Sequence, residues 1–281
     1  MTPQSHQALN TLVTLCETRS SPDWEKELAP RLRKKAPAFP DDRGFMRIFS
    51  IAIAYSQNAQ AKQVSRLVES VEFHTAFSEF DPRVLCKASA KNILLRFWPH
   101  LGAMRFKGKI QRIIDCAKVL VGIQEESGSF ANYLDVFQIP RRLRSTNDLE
   151  QFWIRFDLLR ADLRRRQMPF FGSTISLLQL LVDLDFDSVK PDLIVMRFAR
   201  RIGLVEKETG ERVFRTAACA IQTYAIDRGL RARAVDLMVL AFGGQTGARD
   251  LLAKRFCPPV DPCRNAACPI GTKHLCKAYI A

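Results

Sequence analysis

Apolar positions recur at helical spacing along nearly the whole chain, and no segment alternates as a strand ladder would. From Phe45 to Tyr55 the chain is apolar almost all round, which predicts a buried central helix. Beyond the polar break Ser56-Gln57-Asn58, residues Ala61, Val64, Leu67, Val68 and Val71 repeat with a helical period. Asp81-Pro82 opens another helix, with proline in the first turn, where its missing N–H costs nothing. Gly102 and Gly108 punctuate the next stretch, which Ile110, Ile113, Ile114, Ala117 and Leu120 carry on. Ser145 or Thr146 caps a long helix through Trp153 and Leu163. The short connector Met168-Pro169-Phe170-Phe171-Gly172 leads into a helix from Ser173 to about Leu184. A loop from Asp185 to Pro191 precedes a helix that starts at Asp192 and ends near Gly203, a glycine suited to a left-handed C-cap. The expected fold class is all-α.

With 281 residues, 47% of them hydrophobic, the chain can bury a full core and is expected to form two lobes. No apolar run approaches the ~18 uncharged residues of a membrane span. The opening stretch lacks the charged-then-apolar design of a signal peptide, so an intracellular, reducing location is expected. Lysine and arginine outnumber the acids by 43 to 29, a net charge of +14, which favours a polyanionic partner. The basic residues recur in clusters: Arg31 to Lys35, Arg105 to Lys109, Arg141 to Arg144, Arg164 to Arg166 and Arg228 to Arg233. That spacing suits a folded surface that gathers positive charge, not a disordered arm.

Cys257, Cys263, Cys268 and Cys276 fall within twenty positions, with proline and glycine between them. Four thiolates that close can converge on one inorganic centre without a hydrophobic core of their own. Cys16, Cys86, Cys116 and Cys219 stand singly in apolar stretches and read as small buried hydrophobes. A disulfide framework is not expected in a long, core-rich chain.

Three further stretches line up with the cysteines: YSQNAQAKQVSRLV, RRRQMPFFGSTISLLQLL and KPDLIVMRFARRIGL. Together they resemble the helix-hairpin-helix base-excision DNA glycosylases, specifically the endonuclease III-like branch with a C-terminal iron–sulfur loop. The resemblance covers roughly residues 41 to 281. It implies a helical-barrel domain over 43–188 that ends in the hairpin, and a second helical domain made of 1–42 plus 189–281. The hairpin maps onto Phe170-Phe171-Gly172-Ser173-Thr174-Ile175-Ser176, the catalytic aspartate onto Asp192 with Arg197 at the family's offset, and the Ser/Gln turn onto Ser56-Gln57-Asn58. By the same resemblance Gln57, Arg105, Lys107, Lys109, Arg164, Arg165, Arg166, Gly172, Ser173, Thr174, Lys190 and Arg197 would face DNA. Tyr55, Phe49, Trp98 and Phe106 are the aromatics that could stack on a flipped base, although aromatics at helical spacing are more often core. Cys257, Cys263, Cys268 and Cys276 would hold a 4Fe–4S cluster. Their spacing departs from the family's, so zinc stays open as an alternative, with His274 able to replace one thiolate.

Other departures carry information too. The hairpin has one glycine, Gly172, where two are usual. Thr174 stands eighteen residues before Asp192, where bifunctional members carry the Schiff-base lysine, and a hydroxyl cannot replace that amine. Ala52 occupies the place of the glutamate of adenine-mismatch relatives. The implied function is therefore a monofunctional glycosylase that hydrolyses the N-glycosidic bond of a modified base flipped from double-stranded DNA. It would act as a monomer near the nucleoid, without a membrane. A glycosylase turned against foreign DNA and a non-catalytic DNA-binding protein of the same fold remain alternatives.

Overall fold

The computed structural model describes residues 1–19, 37–57, 59–244, 252 and 256–280. Arg31, Arg33, Lys34, Lys35 and Asn58 lie outside the described residues. Along the chain run α1 (Pro3–Arg19), α2 (Asp42–Tyr55), α3 (Ala61–Val68), α4 (Val71–Ala76), α5 (Pro82–Leu85), α6 (Ala90–Leu101) and α7 (Gly108–Ser127). They are followed by α8 (Phe130–Val136), α9 (Thr146–Arg165), α10 (Thr174–Asp183), α11 (Leu193–Arg201), α12 (Glu211–Asp227), α13 (Ala232–Gly243) and α14 (Pro269–Thr272). The fold is all-α: among the described residues no β-strand forms, and Cys263 and Tyr279 share an isolated bridge.

Two compact units result: 1–37 with 140–151 and 185–281, and 38–139 with 152–184. Residues 140–151, expected in the barrel domain, group instead with the first unit, because their polar partners lie there. Arg142 donates to Asp185 Oδ2 at 2.6 Å, the Leu143 N–H to Asp187 Oδ2 at 3.2 Å, and the Asp187 N–H to the Arg141 carbonyl at 3.0 Å.

In the unit 38–139 with 152–184, Asp41 caps α2 by accepting the Gly44 N–H at 2.8 Å. Phe45, Met46, Phe49, Ser50, Ile53 and Ala54 form the buried stripe of α2. The helix is amphipathic and not buried all round: Arg47 and Tyr55 are exposed, and Ile48, Ile51 and Ala52 are half-buried. The expected helix from Ala61 to Val71 stops at Val68. Ser70 then caps α4 by accepting the Phe73 N–H, leaving Val71 exposed. Ser145 is the cap of α9, accepting the Asp148 N–H at 3.1 Å. In the other unit, Met196 and Ala199 of α11 pack with Val205 and Ala217, and α13 lies against α11, α12 and α1. Gly203 has φ of 79°, the left-handed value expected of it, one residue beyond the α11 C-cap.

Candidate functional site

The approach to α11 is pinned by buried polar contacts. Asp187, almost fully buried, accepts the Arg231 Nε–H at 2.7 Å, and its carbonyl accepts from Gln222 Nε2 at 3.0 Å. Asp185 accepts from Arg142 and Arg231, and these guanidinium groups hold its carboxyl below the usual range against the cost of burial. The chain then passes through Lys190-Pro191 to Asp192, the N-cap of α11. Asp192 Oδ1 accepts the N–H groups of Ile194 at 2.9 Å and Val195 at 3.1 Å. Its other oxygen, Oδ2, lies 4.0 Å from Lys190 Nζ, and the side chain keeps 19% of its exposure. One oxygen is thus occupied by the cap while the second faces an ammonium group. Asp236, on which the sequence carries no motif, lies behind this loop. It is buried, and desolvation first and repulsion from Asp192 second push its carboxyl up to about 7.

The hairpin belongs to the other unit. Ser173 caps α10, its Oγ accepting the Ser176 N–H at 3.2 Å, and Thr174 behind it is buried. Arg164 is exposed and donates to the Gly172 carbonyl at 2.7 Å, joined by Arg160 at 3.3 Å. A Cβ at Gly172 would stand 3.0 Å from Arg164 Cγ, so the single glycine lets the arginine close over the turn. Arg166 pairs with Glu126 and Asp162 at 2.6 and 2.7 Å. Arg165 is exposed and leans on Asp162.

The basic stretch at 105–109 divides. Arg105 and Lys107 are exposed, Arg105 with φ of 68° and Lys107 with its ammonium over the Trp98 ring. Lys109 is fully buried, contrary to expectation. Its Nζ donates to the Ala54 carbonyl at 2.9 Å and the Ser56 carbonyl at 2.7 Å, satisfying the C-terminal end of α2. Burial lowers it to about 8, helped by Arg112 and Arg105. This lysine ties the turn bearing Gln57, which is exposed with φ of 55°, to the segment bearing Phe106, 49% exposed. Gln57, Arg105, Phe106 and Lys107 are all exposed near this tie, and Tyr55 and Phe106 are large exposed side chains there. Phe49 is a correction: it is fully buried against Phe45, Phe130 and Phe171 and cannot meet a base. Tyr55 is partly exposed and bonded to Ser65 at 2.7 Å.

Cys257, Cys263, Cys268 and Cys276 carry no disulfide and line one small pocket of about 10 Å³ together with Phe198, Ile202, Phe242, Phe256 and Ile270. Arg201, buried in α11, organises the loop: it donates to Cys257 Sγ at 3.1 Å, to the carbonyls of Pro258 at 2.8 Å and Val260 at 2.6 Å, and to Asp261. Burial raises the thiols of Cys257, Cys268 and Cys276, while Arg201 and Arg197 pull Cys257 back. His274 is exposed and stands outside the cavity lining. Among the described residues, no group of three or more His, Cys, Asp or Glu side chains is arranged to hold a metal ion.

Residues 46–180 match the family described as methyladenine glycosylase. The match covers less than half of the chain and selects no endonuclease III-like branch. It ends before Asp192 and the cysteines. No solved structure matches the chain. Among the described residues no helix is long and apolar enough to cross a membrane.

Proposed function

We propose that this protein is a monofunctional DNA glycosylase that hydrolyses the N-glycosidic bond of an alkylated or otherwise modified base flipped out of duplex DNA, leaving an abasic site. The observation that carries the reading is Asp192: one oxygen is held by two helix N–H groups and the other is left for chemistry, in a chain matched to methyladenine glycosylases. Breaking the bond builds positive charge on the sugar, and an anion beside the anomeric carbon stabilises it. The same Oδ2 can accept the proton of the attacking water. Thr174 offers no amine, so the hydrolytic route is favoured over a Schiff base. Lys190 is the amine beside Asp192, where it serves as counter-ion. The protein acts as a monomer on double-stranded DNA.

Cys257, Cys263, Cys268 and Cys276 would hold an iron–sulfur cluster. What supports this reading is that the four thiols are free of disulfides and line one apolar pocket, with Arg201 supplying a positive charge at the first of them, although their side chains are not gathered as metal ligands. When bound, it would tie the loop to α11 and add a redox-sensitive centre. Broad visible absorbance that bleaches on reduction is expected of the purified protein; a colourless, zinc-containing protein would overturn this assignment.

The test of function is incubation with DNAs carrying methylated and bulkier modified bases, with released bases identified by mass spectrometry. Wild-type protein should release a modified base and Asp192→Asn should not. Release from none of these DNAs would refute the reading, and selective release of a bulky foreign-DNA modification would point to defence instead of repair. A covalent adduct trapped by borohydride would refute the hydrolytic route.

A further inference from the structure

Behind the Lys190-Pro191-Asp192 loop lies an acid that the proposed chemistry does not use. Asp236 sits on α13, which packs against α11, and only 3% of it is exposed. The Lys190 backbone N–H donates to its carboxyl group, while Oδ1 has no hydrogen-bond partner. The charged groups that face it are Asp192 and Lys190 from the loop and Arg233 on its own helix. A buried carboxylate with an unpaired oxygen is costly, whereas a protonated carboxyl keeps the bond to Lys190 without adding charge.

On the reading of Asp192 given above, we infer that Asp236 is a positioning residue for the 190–192 loop that works as a neutral acid, so that the loop presents one anion, at Asp192. Burial and the repulsion of Asp192 raise Asp236 from 3.8 to about 7, with Arg233 and Lys190 opposing. Between these two values the folded chain holds a proton that the unfolded chain has released. Stability from this group is therefore complete in acid and lost as pH rises towards 7. The carboxyl oxygen that receives the Lys190 N–H fixes the loop, and the proton on Asp236 spares Asp192 a second negative neighbour.

The test compares full-length wild type, Asp236→Asn and Asp236→Leu. Thermal melts across acid to mildly alkaline pH need no substrate: the wild-type midpoint should fall as pH rises to about 7, and Asp236→Asn should lose that component. In single-turnover base release, Asp236→Asn should stay within about threefold of wild type, whereas Asp236→Leu, which cannot accept the Lys190 N–H, should lose about tenfold or more with DNA affinity unchanged. Superimposable pH dependence of the two melting series would overturn the assignment. So would a folded Asp236→Asn protein as inactive as Asp192→Asn. If no variant, wild type included, releases a base while the difference in melts persists, the glycosylase reading fails and the neutral acid stands.

Discussion

The helix-capping role of Asp192 and the catalytic role proposed for it can be separated by substitution, because only one of its two oxygens accepts the cap hydrogen bonds. Oδ1 takes the N–H groups of Ile194 and Val195, and Oδ2 faces Lys190 at 4.0 Å. Asparagine keeps a carbonyl oxygen for the cap and ranks with aspartate as an N-cap, so Asp192→Asn should change stability by less than about 0.5 kcal/mol. Alanine removes the cap acceptor and should cost about 1 kcal/mol, a fall of roughly 2–4 °C in the melting midpoint for a domain of this size. The charge is a separate quantity. Two unit charges about 4 Å apart at an effective dielectric near 20 attract by about 4 kcal/mol, or on the order of 10³-fold in rate. Both substitutions should therefore reduce single-turnover base release by about 10²–10³-fold, while only alanine lowers the melting midpoint. The assay is release of a modified base from a duplex, scored by alkaline cleavage at the abasic site, alongside calorimetric melts of each variant. If Asp192→Asn keeps activity within about tenfold of wild type, the carboxylate is a helix cap and nothing more.

Arg201→Met should remove the donors to Cys257 Sγ and to the carbonyls of Pro258 and Val260, costing about 3–5 kcal/mol; hydrogen exchange across 256–280 should rise, and unchanged protection would show that the loop holds itself. At Gly243, an added Cβ would overlap Ile194 Cγ2 on α11, so Gly243→Ala should force the two helices apart at a cost of about 1–3 kcal/mol and slow base release at the neighbouring Asp192 loop; wild-type melting and turnover would refute the packing argument. Lys109→Met should strand the Ala54 and Ser56 carbonyls for about 1–3 kcal/mol. Because Lys109 is depressed to about 8 in the fold, its contribution to stability grows as pH rises from there towards its unfolded value and is lost as pH falls back through 8. Urea midpoints of wild type should therefore rise over that window more than those of Lys109→Met, and parallel curves would place the ammonium in solvent.

Features set by a few neighbouring residues were legible in the chain itself. The cap at Asp192, the left-handed Gly203, the proline start at Asp81-Pro82 and the cap at Ser145 each rest on bonds or backbone angles spanning no more than four residues. The four cysteines were legible for the same reason, since their short spacing limits how far apart they can lie. Where a charged or aromatic side chain ends up was decided by tertiary structure. Lys109 is claimed by carbonyls at positions 54 and 56, Arg166 by Glu126, Phe49 by Phe130 and Phe171, and Asp236 by the loop at 190–192. A basic cluster reads alike whether its members face solvent or close a helix end, because burial is set by partners distant in sequence. Composition therefore indicated the +14 charge and the helical class, and packing alone sorted the cations that hold the fold from those left at its surface.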